Sequence, residues 1–221
     1  MTEPRPGQFE GPVASPVTIA VVSAGMRSPS TTRLLADDLG EQVRRALGGQ
    51  AEVVSIELRQ HAHALADAML TGFPTGELKT AIEQVLSADA LVVVTPTFSA
   101  TFSGLFKSFF DVIEPDALAG MPVLLAATGG TERHSLMLEH AMRPLFTYLG
   151  AVPVRTGVYA ATADFGGPGS ARLAERVARA ALELADAVRG GDPARAPRSR
   201  AGGASDDELV TPFTELLGRL G

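Results

Sequence analysis

Cysteine is absent from the 221 residues, and so is tryptophan. Without cysteine there is no disulfide framework, no thiolate zinc site, no iron–sulfur ligation and no cysteine nucleophile. Histidine is scarce. His61, His63, His134 and His140 are scattered, with no carboxylate at ligand spacing, so no metal site is expected. No apolar run reaches the roughly 18 residues of a membrane span. Basic residues are outnumbered, giving a net charge of -6 and a pI near 5.2. That balance argues against broad attraction to nucleic acid or to an anionic membrane. Met1 to Pro16 lacks the apolar core of a signal peptide, so a cytoplasmic location is expected. No catalytic nucleophile, triad or carboxylate pair stands out, and no catalytic residue is assigned.

What is present is ordinary globular material, 45% hydrophobic and 20% charged. Val17–Val22 is a short β-branched run, as expected of a strand buried on both faces. Leu34, Leu35, Leu39, Val43 and Leu47 then recur at helical spacing until Gly48-Gly49. Glu52–Leu58 reads as a second strand, Gln60–Gly76 as an irregular stretch and Glu77–Leu86 as a helix. Ala90–Thr95 is the most hydrophobic strand, ended by Pro96. A helix over Ser103–Ile113 presents Leu105, Phe109 and Val112 at core spacing. Pro122–Thr128 is the fourth strand, His134–Tyr148 a helix that Pro144 kinks, Val152–Val158 the fifth strand, and Ser170–Val188 the last long helix.

Alternating strands and helices predict an α/β fold with a doubly wound parallel sheet. Five strands favour the flavodoxin-like order 2-1-3-4-5. The expected organisation is a flexible tail (1–16), one domain (17–189), an Arg/Pro/Gly linker (190–204) and a C-terminal amphipathic segment (205–221). The last carries Leu209, Phe213, Leu216, Leu217 and Leu220 at helical spacing.

Ligands of such sheets bind beyond the carboxyl ends of the strands, which points to three loops. Loop one, Ser23–Thr32, offers hydroxyls, the guanidinium of Arg27 and the free amides of a helix start. Those are the parts of a phosphomonoester site. Ser30 also reads simply as the cap of the next helix. The loop has neither GxGxxG nor a GxxxxGK run followed by Ser or Thr, so it is not a dinucleotide fingerprint or a nucleoside-triphosphate loop. Loop two, Thr95–Gly104, joins Phe98 and Phe102 to small polar residues and reads either as one wall for a flat ring or as a cap with core aromatics. In loop three, Thr128–His134, Gly129-Gly130 permits close backbone approach to a ligand.

Taken together, these loops resemble the flavodoxin-like NAD(P)H-dependent FMN reductases, of the type that partners two-component flavin monooxygenases. The resemblance rests on Arg27, Ser30 and Thr32 in the first loop. It continues through Thr95-Pro96-Thr97-Phe98, then Ser103-Gly104-Leu105-Phe106-Lys107 with Asp111. Thr128 to His134, Arg143 to Phe146 and Leu149 to Ala151 complete it, over about residues 17 to 190. Phe98 stands where the family often has tyrosine, so a phenol hydrogen bond is absent there.

The resemblance implies FMN as cofactor and NADPH or NADH as hydride donor. The flavin phosphate would be held by Ser23, Arg27, Ser30, Thr31 and Thr32. Pro96, Thr97, Phe98 and Ser99 would form one wall for the ring, and Thr128, Gly129 and Gly130 would reach its pyrimidine edge. A nicotinamide would stack on the exposed face and deliver hydride to flavin N5. A flavin-dependent monooxygenase would receive the reduced flavin. A homodimer or homotetramer is also implied, with Phe106, Phe109 and Phe110 covering more than one helix face, one of them for a neighbour. Two other readings share the fold. One is a reductase of quinones, azo dyes or metal oxyanions that keeps its FMN. The other is an electron carrier, against which stands the absence of tryptophan and of tyrosine from the three loops.

Overall fold

The computed structural model describes residues 16–190 apart from Pro168. The terminal tail, the linker and the last amphipathic segment lie outside the described residues, save for Pro16 and Gly190. β1 (Thr18–Ser23) pairs in parallel with β2 (Glu52–Glu57) on one side and β3 (Ala90–Phe98) on the other. β3 pairs with β5 (Pro122–Gly129), and β5 with β6 (Val152–Pro153) and β7 (Val158–Ala161). The path runs β2-β1-β3-β5-β6, so the parallel α/β architecture and its winding are those expected.

The sheet has seven strands rather than five. One addition is β4 (Thr101–Phe102), antiparallel to the end of β3. Pro96 does not end β3. The ladder to β1 stops opposite Val94, so beyond it β3 has an open side, where a missing N–H is tolerated. The chain then reverses in a two-residue turn with Ser99 at φ 48° and Ala100 at φ 68°. Such turns match the twist of a hairpin but normally use Asn-Gly, which is why Ser-Ala gave no signal.

The other addition comes from a break in the fifth strand. Partners across β5 are 30 residues apart at Pro122 and Val152 but 32 apart at Ala126 and Val158. Two extra residues therefore bulge out around Arg155–Gly157. The bulge is clamped from α6 (Ser170–Arg189): the Thr156 amide and hydroxyl each donate to the Glu183 carboxylate at 2.7 Å.

Helices cover both faces. α1 (Thr31–Ala46) and α6 lie on one, where Leu35, Leu39 and Val43 meet Ile19 and Val21, and Val177 and Leu184 meet the same layer. On the other face lie α2 (Ala62–Thr71), α3 (Gly76–Ser87), α4 (Gly104–Asp111) and α5 (Arg143–Tyr148). The stretch expected to be irregular thus contains α2, which buries Leu65 and Ala68 and stops at the left-handed Gly72. The helix expected over His134–Tyr148 is broken. A wide turn over Leu138–Met142 puts the Arg143 amide on the Leu138 carbonyl, five residues back, just before Pro144 opens α5 without an N–H to give.

The α4 face also differs from expectation. Phe106, Phe109, Phe110 and Ile113 are buried, whereas Leu105 and Val112 are only half-buried. Phe106, Phe110 and Phe146 form an aromatic cluster with ring centroids 4.8 to 6.1 Å apart, and Phe109 meets Phe110 edge-on at 5.2 Å. All three α4 phenylalanines are therefore spent inside their own subunit, and none is left for a neighbour.

Burial works against charge on Glu183, but the Thr156 donors, with Arg155 and Arg179 nearby, outweigh it and hold the carboxyl below its ordinary pKa. A folded-state pKa below the unfolded one stabilises above the unfolded value and is lost as pH falls through the folded one. Glu183→Gln is expected to cost about 1–2 kcal/mol at neutral pH. The gap to wild type in urea titrations should narrow below about pH 4.

Candidate functional site

The carboxyl ends of β1, β3 and β5 lie side by side, with Ser23 opposite Val94 and Pro96 opposite Thr128. Loop one leaves β1 through Ala24, whose amide donates to the Val94 carbonyl at 2.9 Å. Gly25 follows, and a side chain there would collide with the Ser30 hydroxyl. Ser30 caps α1, accepting from the Arg33 amide at 3.3 Å. The amides of Thr31 and Thr32 begin the helix with no intrahelical acceptor. The cap and the helix start expected to meet an anion are thus parts of one structure.

Of the residues expected at a phosphate, Ser23, Arg27 and Ser30 line a cleft of about 300 Å³. Thr31 is exposed as the first residue of α1, while Thr32 is buried and bonded, Oγ1 to Oγ1 at 2.8 Å, with Thr128. That bond ties loop one to loop three. Sequence reasoning missed three further charged residues of the cleft, Arg33, Glu57 and Arg59. Glu57 pairs with both arginines, and Arg33 also reaches Asp37 at 2.6 Å. The hydrogen bond that Arg33 donates to Asp37, opposed by partial burial and helped by Glu57, pushes the Arg33 pKa above its already high ordinary value. Arg27 is exposed and makes no ion pair with a described residue. The missed residues were reachable in principle, because Glu57 is the register partner of Ser23.

Loop two is held at its base by Thr95, whose hydroxyl accepts from the Ser103 amide at 3.1 Å. Ser103 in turn caps α4 by accepting from Phe106. Pro96 and Thr97 are half-buried. Phe98 is 49% exposed at the hairpin tip, beside the exposed Ser99, so its ring is free to meet a ligand. Phe102 packs on the core. Lys107 and Asp111 pair on the surface of α4.

Loop three is fixed by Tyr159, which sequence reasoning left outside the site. Its hydroxyl donates to the Thr131 carbonyl at 3.0 Å and accepts from Thr97 at 3.4 Å, joining loops two and three. A side chain at Gly129 would collide with that hydroxyl, so glycine is required there by space. Gly130 has nothing within 4 Å of where a Cβ would sit and faces open space. Thr128 is buried against Thr32. His134 is exposed in a short turn over Glu132–His134. A second cavity of about 410 Å³, lined by Tyr159, Arg172 and Arg176 among others, shares only Glu132 with the three loops.

Among the described residues no cluster of three or more His, Asp or Glu is arranged to hold a metal ion, and no helix is long and apolar enough to cross a membrane. The donor set of the cleft, with one unpaired guanidinium, the hydroxyls of Ser23, Ser28 and Ser30 and the open amides of a helix start, suits a phosphomonoester.

A family model for NADPH-dependent FMN reductases matches residues 17–166, a span that contains all three loops. The chain belongs to this family. Within the family, it is 40% identical over 153 residues to an FMN reductase (NADPH) of Pseudomonas aeruginosa, covering 69% of this chain and 81% of that one. It is 39% identical over 175 residues to the NADH-dependent FMN reductase SfnE of Pseudomonas putida, covering 76% and 91%. An oxidoreductase of Corynebacterium diphtheriae superposes with a TM-score of 0.76 at 47% identity, covering 80% of this chain and 99% of that one.

The buried hydroxyl pair is tested by a double-mutant cycle. Thr32→Val or Thr128→Val alone leaves one buried hydroxyl unpaired and is expected to cost about 1–3 kcal/mol in urea unfolding. The double variant should cost clearly less than the sum.

Proposed function

We propose that this FMN reductase family member reduces FMN with a nicotinamide nucleotide and hands the reduced flavin to a partner monooxygenase. The observation that carries the reading is the convergence of the three loops at one end of the sheet, tied together through Thr32, Thr128, Thr97 and Tyr159. FMN when bound supplies the hydride-accepting chemistry at its N5, and the protein supplies orientation and exclusion of water.

The phosphate belongs in the loop-one cleft. Arg27 meets it as a free cation, Ser23 and Ser30 add hydroxyls, and the Thr31 and Thr32 amides add the positive end of α1. Thr32 also acts through Thr128, holding loop three in register with the phosphate loop. Pro96, Thr97, Phe98 and Ser99 form one wall for the ring. Thr128, Gly129 and Gly130 offer backbone to its polar edge, where Gly130 leaves room for close approach.

The two Pseudomonas relatives are nearly equal in identity yet named for different nucleotides, so both donors enter the test. The relative named SfnE, an NADH-dependent FMN reductase, supports FMN as the molecule reduced. The reading carries a cytoplasmic location with it, where reduced nicotinamide is made. It also carries assembly into a dimer or tetramer. With the α4 phenylalanines buried, that contact must use other apolar surface, and Leu70 at the end of α2 and Phe73 just past it are 87% and 75% exposed.

The purified protein is expected to be colourless and to oxidise NADH or NADPH only when FMN is added, as followed by nicotinamide absorbance. No oxidation of either donor with FMN present would sink the reading. A yellow protein that turns over only with a quinone or dye would replace it with a flavin-retaining reductase. Arg27→Ala is expected to weaken FMN binding about tenfold or more, from the loss of a charge-assisted contact, without lowering Tm. Unchanged FMN affinity would move the phosphate elsewhere.

A further inference from the structure

We infer that Glu57 holds the phosphate affinity of the loop-one cleft below what its arginines would otherwise provide, making it a determinant of flavin release. The inference rests on the placement of the flavin phosphate proposed above. Glu57 ends β2 directly beside Ser23, and the two share the cleft with Arg27, Arg33 and Arg59. One carboxylate oxygen takes Arg33 and, at 3.3 Å, the Gln60 amide; the other takes Arg59 at 3.4 Å. Its side chain is 25% exposed, so water screens it less than a fully solvated charge.

Arg59 has no other ion pair among the described residues, whereas Arg33 has a second partner in Asp37. Glu57 thus does two things to an incoming phosphomonoester, which carries between one and two negative charges near neutral pH. It engages one nitrogen of each of two guanidiniums, Nη1 of Arg33 and Nε of Arg59, drawing their charge to itself, and it places a like charge in the cleft. Only Arg27 meets the phosphate unencumbered. That arrangement suits a flavin that must leave after reduction better than one kept as a permanent prosthetic group.

The experiment measures FMN and riboflavin binding to the full-length protein and to Glu57→Gln and Glu57→Asp. Glu57→Gln is expected to bind FMN on the order of tenfold more tightly, as removal of one charge near a dianion at an open cleft implies. Riboflavin, which lacks the phosphate, should bind unchanged, and the gain for FMN should fade in high salt. Glu57→Asp keeps the charge and should stay near wild type. A merely structural role predicts the opposite sign, since a loosened cleft binds more weakly. FMN affinity that is unchanged or weaker in Glu57→Gln, or an equal gain for riboflavin, overturns the inference. Should that variant fail to fold, Glu57→Thr, well suited to a strand end, carries the same expectation. If Arg27→Ala leaves FMN binding unchanged, the placement of the phosphate itself fails. If Arg27→Ala weakens FMN while Glu57→Gln does not tighten it, only the role of Glu57 falls.

Discussion

β1, β3 and β5 run parallel with helices on both faces, so their side chains are consumed by packing and their lateral hydrogen bonds by one another. Ile19 and Val21 face α1, while Ala20 and Val22 face the opposite helical layer. Short of their carboxyl-terminal residues, nothing along these strands is free to meet a ligand. Chemistry is therefore confined to the ends, and parallel register decides which ends meet. The Thr32–Thr128 hydroxyl pair and the Tyr159 hydroxyl convert that neighbourhood into a fixed frame. Both contacts are short-range and at least half-buried, so the loops are positioned by the sheet rather than by the ligand.

The parallel core was legible because its strands are continuous apolar runs bounded by glycine, proline and polar clusters. The three site loops were legible for the same reason, since each follows such a run. What escaped has specific causes. The Ser99-Ala100 turn uses residues that rarely take positive φ, so no local signal announced it. α2 is short and its apolar positions are mostly alanine, which reads as neither strand nor loop. The break in the fifth strand depends on Glu183, 27 residues beyond Thr156, and no local pattern reports a clamp so distant in sequence. Tyr159 and Glu57 belong to the site only through strand register. A reading that sought chemistry only in the loops after the first, third and fourth strands passed over both.

The site holds few ionisable side chains. Arg33 and Arg59 share Glu57 as a counter-charge, Arg27 stands as a free cation, and most of the rest are hydroxyls and backbone. That composition fits a protein whose ligand carries the reactive atoms and whose own task is placement. Close packing constrains the same loops. Gly25 and Gly129 are each pressed against a hydroxyl, of Ser30 and of Tyr159, so the backbone passes where any side chain would force the loops apart.

The two-residue bulge around Arg155–Gly157 has a consequence for how molecules of this protein behave in a crowd. Past β5 the sheet would otherwise end in one long, straight ribbon of unpaired amides and carbonyls, an invitation for another chain to add a strand. The bulge cuts that ribbon into pieces of two and four residues, Pro153 removes a donor from the first, and Arg176 occupies the Tyr159 carbonyl in the second. The margin of the sheet is thereby too short and too irregular to template growth, and the molecule is guarded against edge-to-edge aggregation on that side.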